Sequence, residues 1–240
     1  MSFPYLSEDE RVQFPPPSDA DKYGILGTGG NLSPGMLLSA YEQGIFPWFS
    51  EDEPILWWSP DPRFVLFLNQ LHVPKSLQKT MKKGLFSYSC DTAFLKVIHA
   101  CSAAPRKDQQ GTWITEDMIS GYVALHELGY AHSFEVWREG ELAGGLYGVS
   151  IGNCFFGESM FSNVPDASKA GFVTAAEYLG SIGIDMIDSQ VRTEHVERFG
   201  ARDIPRSMYL AELNKRKCQA TRRGSWTDSF SRQLSPLHGL

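Results

Sequence analysis

The sequence predicts an α+β protein in which a small N-terminal domain, residues 1–62, precedes a larger mixed-sheet domain, residues 63–240. Three observations carry that expectation. Alternating runs at Phe134 to Trp137, Leu142 to Val149 and Cys154 to Met160 are separated by turn residues at Glu139-Gly140-Glu141 and Gly152-Asn153, the pattern of a three-stranded antiparallel meander. Pro165-Asp166 then opens a helix with Phe172, Val173, Ala176 and Leu179 on one face, closed by Gly180 and Gly183, and a strand follows from Ile184 to Val191. Strand, helix and strand in that order place the two strands side by side and parallel, joined by a right-handed crossover. Finally, residues 44–63 crowd aromatic side chains between prolines. Such a stretch forms no regular element and suits a wedge between two domains.

The remaining elements follow in chain order. The first twenty residues are polar and proline-rich, the composition of a mobile or surface-laid arm, with ordered structure expected from Tyr23. Ser33 as N-cap and Pro34 at the first helical position start a helix that Gly44 stops, with Leu37, Leu38 and Tyr41 on its buried side. Phe64 to Leu68 alternates into a strand. Pro74 begins a short helix that sets Lys75, Lys79, Lys82 and Lys83 along one side. Phe86 to Cys90 reads as a strand and Thr92 to Ala100 as a helix with Phe94, Val97 and Ile98 inward. A charged loop covers Ala103 to Gly111. Thr115 caps a helix with Ile119, Tyr122, Val123 and His126 on one face, ending at Gly129. A last helix runs from Ser207 to about Lys215, and the tail from Gln219 is expected to be loose.

Length and composition bound the function. A chain of 240 residues with 42% hydrophobic content can bury a substantial core. No apolar run reaches the length of a bilayer crossing, and Met1 to Asp21 is acidic and unlike a signal peptide, so a cytoplasmic protein without membrane contact is expected. Cys90, Cys101, Cys154 and Cys218 contain no C-x-x-C pair, and nothing near His126 or His132 completes a zinc spacing. Free thiols, structural histidines and no metal follow. The net charge of −6 disfavours a nucleic-acid partner as a sum, yet basic residues cluster at Lys75 to Lys83 and at Lys215 to Arg223. A lysine stripe on an acidic protein suits phosphate.

Side chains alternate along a strand, so Asp188 and Gln190 are expected to point one way, as are Glu158 and Met160. Two carboxylates, an amide and an apolar side chain thus become candidates for one cleft at the ends of adjacent strands, where ligands of such sheets bind.

Several segments match a known pattern in consistent order between Tyr23 and Tyr209. They include Gly44-Ile45-Phe46-Pro47-Trp48-Phe49-Ser50, Leu56-Trp57-Trp58-Ser59-Pro60-Asp61-Pro62-Arg63, Gly111-Thr112-Trp113-Ile114-Thr115, Leu125-His126-Glu127-Leu128-Gly129, Gly157-Glu158-Ser159-Met160-Phe161-Ser162 and Ile187-Asp188-Ser189-Gln190. On these the chain resembles the leucyl/phenylalanyl-tRNA–protein transferases. The resemblance implies an acetyltransferase-like (GNAT-like) domain behind a small family-specific one. It also implies transfer of leucine or phenylalanine, and with them methionine, from aminoacyl-tRNA to the α-amino group of proteins beginning with arginine or lysine, which marks them for N-end-rule degradation.

An aminoacyl ester is already activated, so no cofactor, ATP or metal is expected, and an α-amino group with a pKa near ~8 needs only a modest base. Asp188 is the candidate base or proton acceptor; the resemblance implies a relay from the amine through Gln190 to Asp188, but a neutral amide is too weak a base to take the proton itself, so Gln190 is read as orienting the amine. Glu158 is read as the anionic partner of the incoming side chain or ammonium. Leu146, Phe155 and Met160 are expected to wall an apolar pocket, with Ser162 counted among the substrate-binding positions. Trp48 and Trp113 resemble positions around the terminal adenosine, Lys75, Lys79, Lys82 and Lys83 would meet the tRNA backbone, and a monomer is expected. Two other readings compete. An acyl-coenzyme A acyltransferase would place glycines after the central strand, whereas Phe161 to Asp166 has none and carries an acid. A non-catalytic binder of N-terminal peptides or RNA would use the same cleft without transfer.

Overall fold

The computed structural model describes residues 4–105 and 113–234. The chain runs β1 (Ile25–Thr28), α1 (Pro34–Glu42), β2 (Phe46–Pro47), β3 (Leu56–Trp58), β4 (Arg63–Phe67), α2 (Lys75–Met81), β5 (Ser87–Cys90), α3 (Phe94–Ala103) and α4 (Glu116–Glu127). It continues through β6 (Ala131–Arg138), β7 (Glu141–Ile151), β8 (Cys154–Ser162), α5 (Ala167–Ser181), β9 (Met186–Asp188), α6 (Glu194–Glu197), β10 (Arg202–Ile204), α7 (Arg206–Lys217) and α8 (Thr227–Leu234). The meander β6-β7-β8 and the parallel pair β8-β9 are as expected. They form the middle of a seven-stranded mixed sheet ordered β10-β4-β9-β8-β7-β6-β5, in which only β8 and β9 pair in parallel. The charged loop expected over Ala103 to Gly111, and Gly111-Thr112 of the motif, lie largely outside the described residues. Among the described residues no helix is long and apolar enough to cross a membrane.

Alternation along the strands divides the core between the two faces of this sheet. On one face Tyr147, Val149 and Phe156 pack with Tyr41 of α1, Val97 and Ile98 of α3, Tyr122 of α4 and Tyr209 of α7. On the other, Phe134, Leu146 and Phe155 pack with Leu77 of α2, Phe172 and Leu179 of α5 and Phe230 of α8. The aromatic stretch after Gly44 does form regular structure: β2 and β3 join β1 in a small antiparallel sheet of order β1-β3-β2. Pro47 is tolerated because β2 is an edge strand, where a missing N–H breaks no inner ladder. Trp57, Phe46 and Phe49 are buried in the same core as one face of the larger sheet.

Both chain ends are ordered further out than expected, the N-terminal arm in the surface-laid form that was one of its two expected states. The N-terminal arm is ordered well before Tyr23: the Leu6 N–H donates to Ser33 Oγ at 3.0 Å, Val12 N–H to Ser39 Oγ at 2.9 Å and Phe14 N–H to Gln43 Oε1 at 3.1 Å. Ser33 therefore holds the arm and does not bond the first turn of its own helix. Gly35 permits this approach, because a Cβ there would lie 2.3 Å from the Ser7 carbonyl oxygen. From Gln219 to Leu234 the tail is likewise not loose, and its last residues lie outside the described ones. Trp226 and Phe230, one helical turn apart, are each 1% exposed, and both pack on Phe134 and Tyr178. His132 stacks on Trp226 and bonds Asp91.

Under the junction of the two sheets lies a fully buried ion pair. Arg63 of β4 donates to Asp188 of β9 through Nε at 2.9 Å and a terminal nitrogen at 2.7 Å. The rings of Phe46 and Tyr209 sit 4.7 Å and 4.5 Å from the guanidinium carbon, the Gly44 carbonyl accepts from it at 3.2 Å, and the Tyr209 hydroxyl donates to Asp188 at 2.7 Å.

Removing one partner leaves a buried charge uncompensated, so Arg63→Met should cost about 3–5 kcal/mol in urea unfolding, and Arg63→Met/Asp188→Leu should recover part of that loss. Trp226→Ala should cost about 3–5 kcal/mol by the same measurement, where a loose tail would leave the midpoint unmoved.

Candidate active site

β8 and β9 stay paired only from Cys154↔Met186 to Phe156↔Asp188. β9 then ends while β8 continues to Ser162. Where they part, the sheet opens into a cavity of about 400 Å³, within the range of small-molecule sites. It sits outside the carboxyl end of a parallel strand, as expected. Leu146, Phe155, Met160, Phe172 and Ile187 wall it on one side, and Phe46, Trp48, Trp113 and Tyr147 on the other.

Glu158 reaches this cavity through a β-bulge. The β7–β8 register passes from Gly148↔Gly157 to Tyr147↔Ser159, which leaves Glu158 opposite no residue. A bulge of this kind reverses side-chain parity and re-aims the side chains beyond it. Phe155 and Met160, five positions apart, therefore face the same apolar cluster, which strict alternation forbids. Gly148 allows the close strand approach, since a Cβ would stand 2.2 Å from the Phe156 carbonyl oxygen.

Three neutral donors hold the Glu158 carboxylate. Gln190 Nε2 donates to Oε1 at 2.7 Å, and Tyr41 Oη and Tyr122 Oη stand 2.7 Å from Oε1 and Oε2 and bond to each other as well, two hydroxyl protons serving three contacts. Burial pushes the carboxyl up to about 7, although the bonds from Tyr122, Tyr41 and Gln190 pull it down. Burial, and then the Glu158 charge, raise both tyrosine hydroxyls well above their usual value, so they remain donors. The two tyrosines carry no functional signal in the sequence, where each is one more apolar-face residue of its helix.

Asp188 and Gln190 do not share a direction. Gln190 has φ +64°, outside extended geometry, because the strand ends at Asp188. Its side chain turns to Glu158, while its N–H donates to Asp188 Oδ1 at 2.9 Å. Gln190 lines the cavity; Asp188 is fully buried behind it and does not.

Of the other expected residues, Trp48, Trp113, Leu146, Phe155 and Met160 all line the cavity. Ser162 does not: its hydroxyl donates to the Val164 carbonyl at 2.9 Å and accepts the Ser168 N–H at 3.2 Å, which ties down the start of α5. Lys75, Lys79, Lys82 and Lys83 are exposed on α2 and the turn after it, outside the cavity lining.

Residues 65–214 match the family model described as leucyl/phenylalanyl-tRNA protein transferase, and residues 30–61 match the model of that family's N-terminal domain. The chain is 57% identical over 225 residues to the leucyl/phenylalanyl-tRNA–protein transferase of Myxococcus xanthus, covering 93% of this chain and 96% of that one. The protein of the same name from Nitrosomonas europaea is 53% identical over 220 residues, 91% and 93% of the two chains. Solved structures overlap partially. A GCN5-related N-acetyltransferase from Kribbella flavida aligns with a TM-score of 0.37 at 9% identity over 71% of this chain and 61% of that one. L-PGS from Bacillus licheniformis aligns with 0.39 at 10% identity over 69% and 58%. From the family models and the relatives in sequence, this chain belongs to the leucyl/phenylalanyl-tRNA–protein transferase family.

Proposed function

We propose that this protein moves leucine or phenylalanine, and with them methionine, from aminoacyl-tRNA to the α-amino group of proteins that begin with arginine or lysine, marking them for N-end-rule degradation. It acts in the cytoplasm as a monomer, with no cofactor. The observation that carries this reading is the cavity itself, which joins long apolar walls to a single buried carboxylate and an amide. The aminoacyl side chain enters between Leu146, Phe155 and Met160, where an unbranched thioether adapts to leucine or phenylalanine. Trp48 and Trp113 pack against the terminal adenosine, stacking worth about 1–3 kcal/mol per base.

Glu158 and Gln190 receive the substrate's amino end, and Asp188, held by Arg63, fixes the turn that presents Gln190. The ester needs no further activation, so positioning supplies most of the catalysis. Lys75, Lys79, Lys82 and Lys83 offer point charges for the phosphates of the tRNA, which do not read sequence.

The direct test is incubation with tRNA bearing labelled leucine and a peptide starting with arginine. Label should move to that peptide and not to an N-acetylated one; no movement to either would overturn the reading. A charge-assisted contact is worth about 1.5–3 kcal/mol, so Glu158→Gln should raise the peptide KM by roughly 10- to 100-fold while tRNA retention on a gel changes little. Replacing the four lysines by glutamine should weaken tRNA binding and flatten its decline with salt by about one logarithmic unit of slope for each phosphate no longer neutralised.

A further inference from the structure

The two carboxylates next to Gln190 differ in how many hydrogen bonds they can still accept. A carboxylate offers about four acceptor positions. On Asp188 all are filled: Oδ1 accepts from Arg63 Nε and the Gln190 N–H, and Oδ2 from the Arg63 terminal nitrogen and the Tyr209 hydroxyl. It is fully buried and borders no part of the cavity. On Glu158, Oε1 accepts at most twice and Oε2 at most once, because the two tyrosine hydroxyls also bond each other, so at least one position on Oε2 is open, and the residue keeps 8% exposure at the cavity. Among the described residues its hydrogen-bond donors are all uncharged.

We propose that Glu158, rather than Asp188, accepts the proton of the attacking α-amino group, with Tyr41 and Tyr122 as positioning residues that hold its open oxygen toward that amine. This rests on the transferase reading above. The neutral amine attacks the ester carbonyl carbon, the C–N bond forms, and the nitrogen's proton passes to Glu158 Oε2. As the bond from that carbon to the ribose oxygen breaks, Glu158 returns the proton to the departing oxygen. The products are an amide, a free ribose hydroxyl and the original carboxylate.

The groups facing Glu158 come from every side: Tyr41 on α1, Tyr122 on α4, Tyr147 on β7 beside both, Gln190 after β9, and the charge of Asp188 behind it. Burial and Asp188 raise the carboxyl, and the tyrosine hydroxyls oppose them. Deleting either hydroxyl should therefore move Glu158's titration to higher pH.

The experiment is single-turnover transfer from bound leucyl-tRNA to saturating arginine peptide, from about pH 5.5 to about pH 9, for wild type, Tyr41→Phe and Tyr122→Phe. The substrate amine titrates near ~8 in every case and cancels in the ratio of rates. That ratio should be roughly tenfold near neutrality and close toward alkaline pH. A constant ratio across the range would make the tyrosines merely structural and overturn the proposal. Glu158→Gln should lose about 10²- to 10⁴-fold in rate while still retaining tRNA on a gel; near-wild-type turnover would also overturn it.

Thermal melting supplies a check that needs no turnover. With a folded pKa of about 7 against an unfolded value near ~4.3, Glu158 holds its proton where the unfolded chain has released it. Wild type should therefore lose stability relative to Glu158→Gln between about pH 4.5 and 7 and stay level above; a difference independent of pH overturns the proposal. Wild type that transfers nothing at any pH removes the transferase reading and this proposal together, whereas transfer with pH-independent losses in the tyrosine variants removes the proposal alone.

Discussion

A guanidinium with no solvent exposure, bonded twice to an equally buried carboxylate, sets the arrangement around it. Burying either charge alone is costly, and burying both is tolerated only when the remaining donors and acceptors are satisfied. Arg63 and Asp188 meet that condition with the Gly44 carbonyl, the Tyr209 hydroxyl and two aromatic rings. The pair thereby fastens β4, β9, α7 and the start of the small sheet at one point. It also ends β9: Asp188 takes the Gln190 N–H, the backbone at Gln190 turns to positive φ, and the amide side chain swings to Glu158. Backbone strain of this kind persists only where surrounding contacts over-determine it.

Environment, more than residue type, separates the two acids. Asp188 faces a cation and is saturated; Glu158, whose hydrogen-bond donors among the described residues are uncharged, sits in an apolar wall and is raised to about 7. A group poised near neutrality on a cavity suits proton transfer, and a saturated ion pair suits anchoring. The β-bulge makes this possible, because it turns Glu158 out of the ladder toward Tyr41 and Tyr122 while Phe155 and Met160 still share one wall.

The chain ends brace the helices that carry these donors. The arm lies along α1 and bonds Ser33, Ser39 and Gln43, and α1 carries Tyr41. The C-terminal segment packs Trp226 and Phe230 against Phe134, which touches the cavity wall at Phe155. Glu8 and Arg223 link the two ends at 2.9 Å.

The meander, the crossover helix and the parallel strand were legible in sequence, because period-2 and period-3.6 patterns and turn residues act over a few positions. So were the cavity walls Leu146, Phe155 and Met160 and the motif residues Glu158 and Gln190, carried by family resemblance. The tertiary structure alone decided which carboxylate meets the cavity. Arg63 lies 125 positions from Asp188 and Tyr41 lies 117 from Glu158, and no local period links such pairs. The bulge, the tyrosine donors and the docked ends were hidden for the same reason: each depends on satisfying buried polar groups or apolar faces with partners that come near only after the sheet has closed.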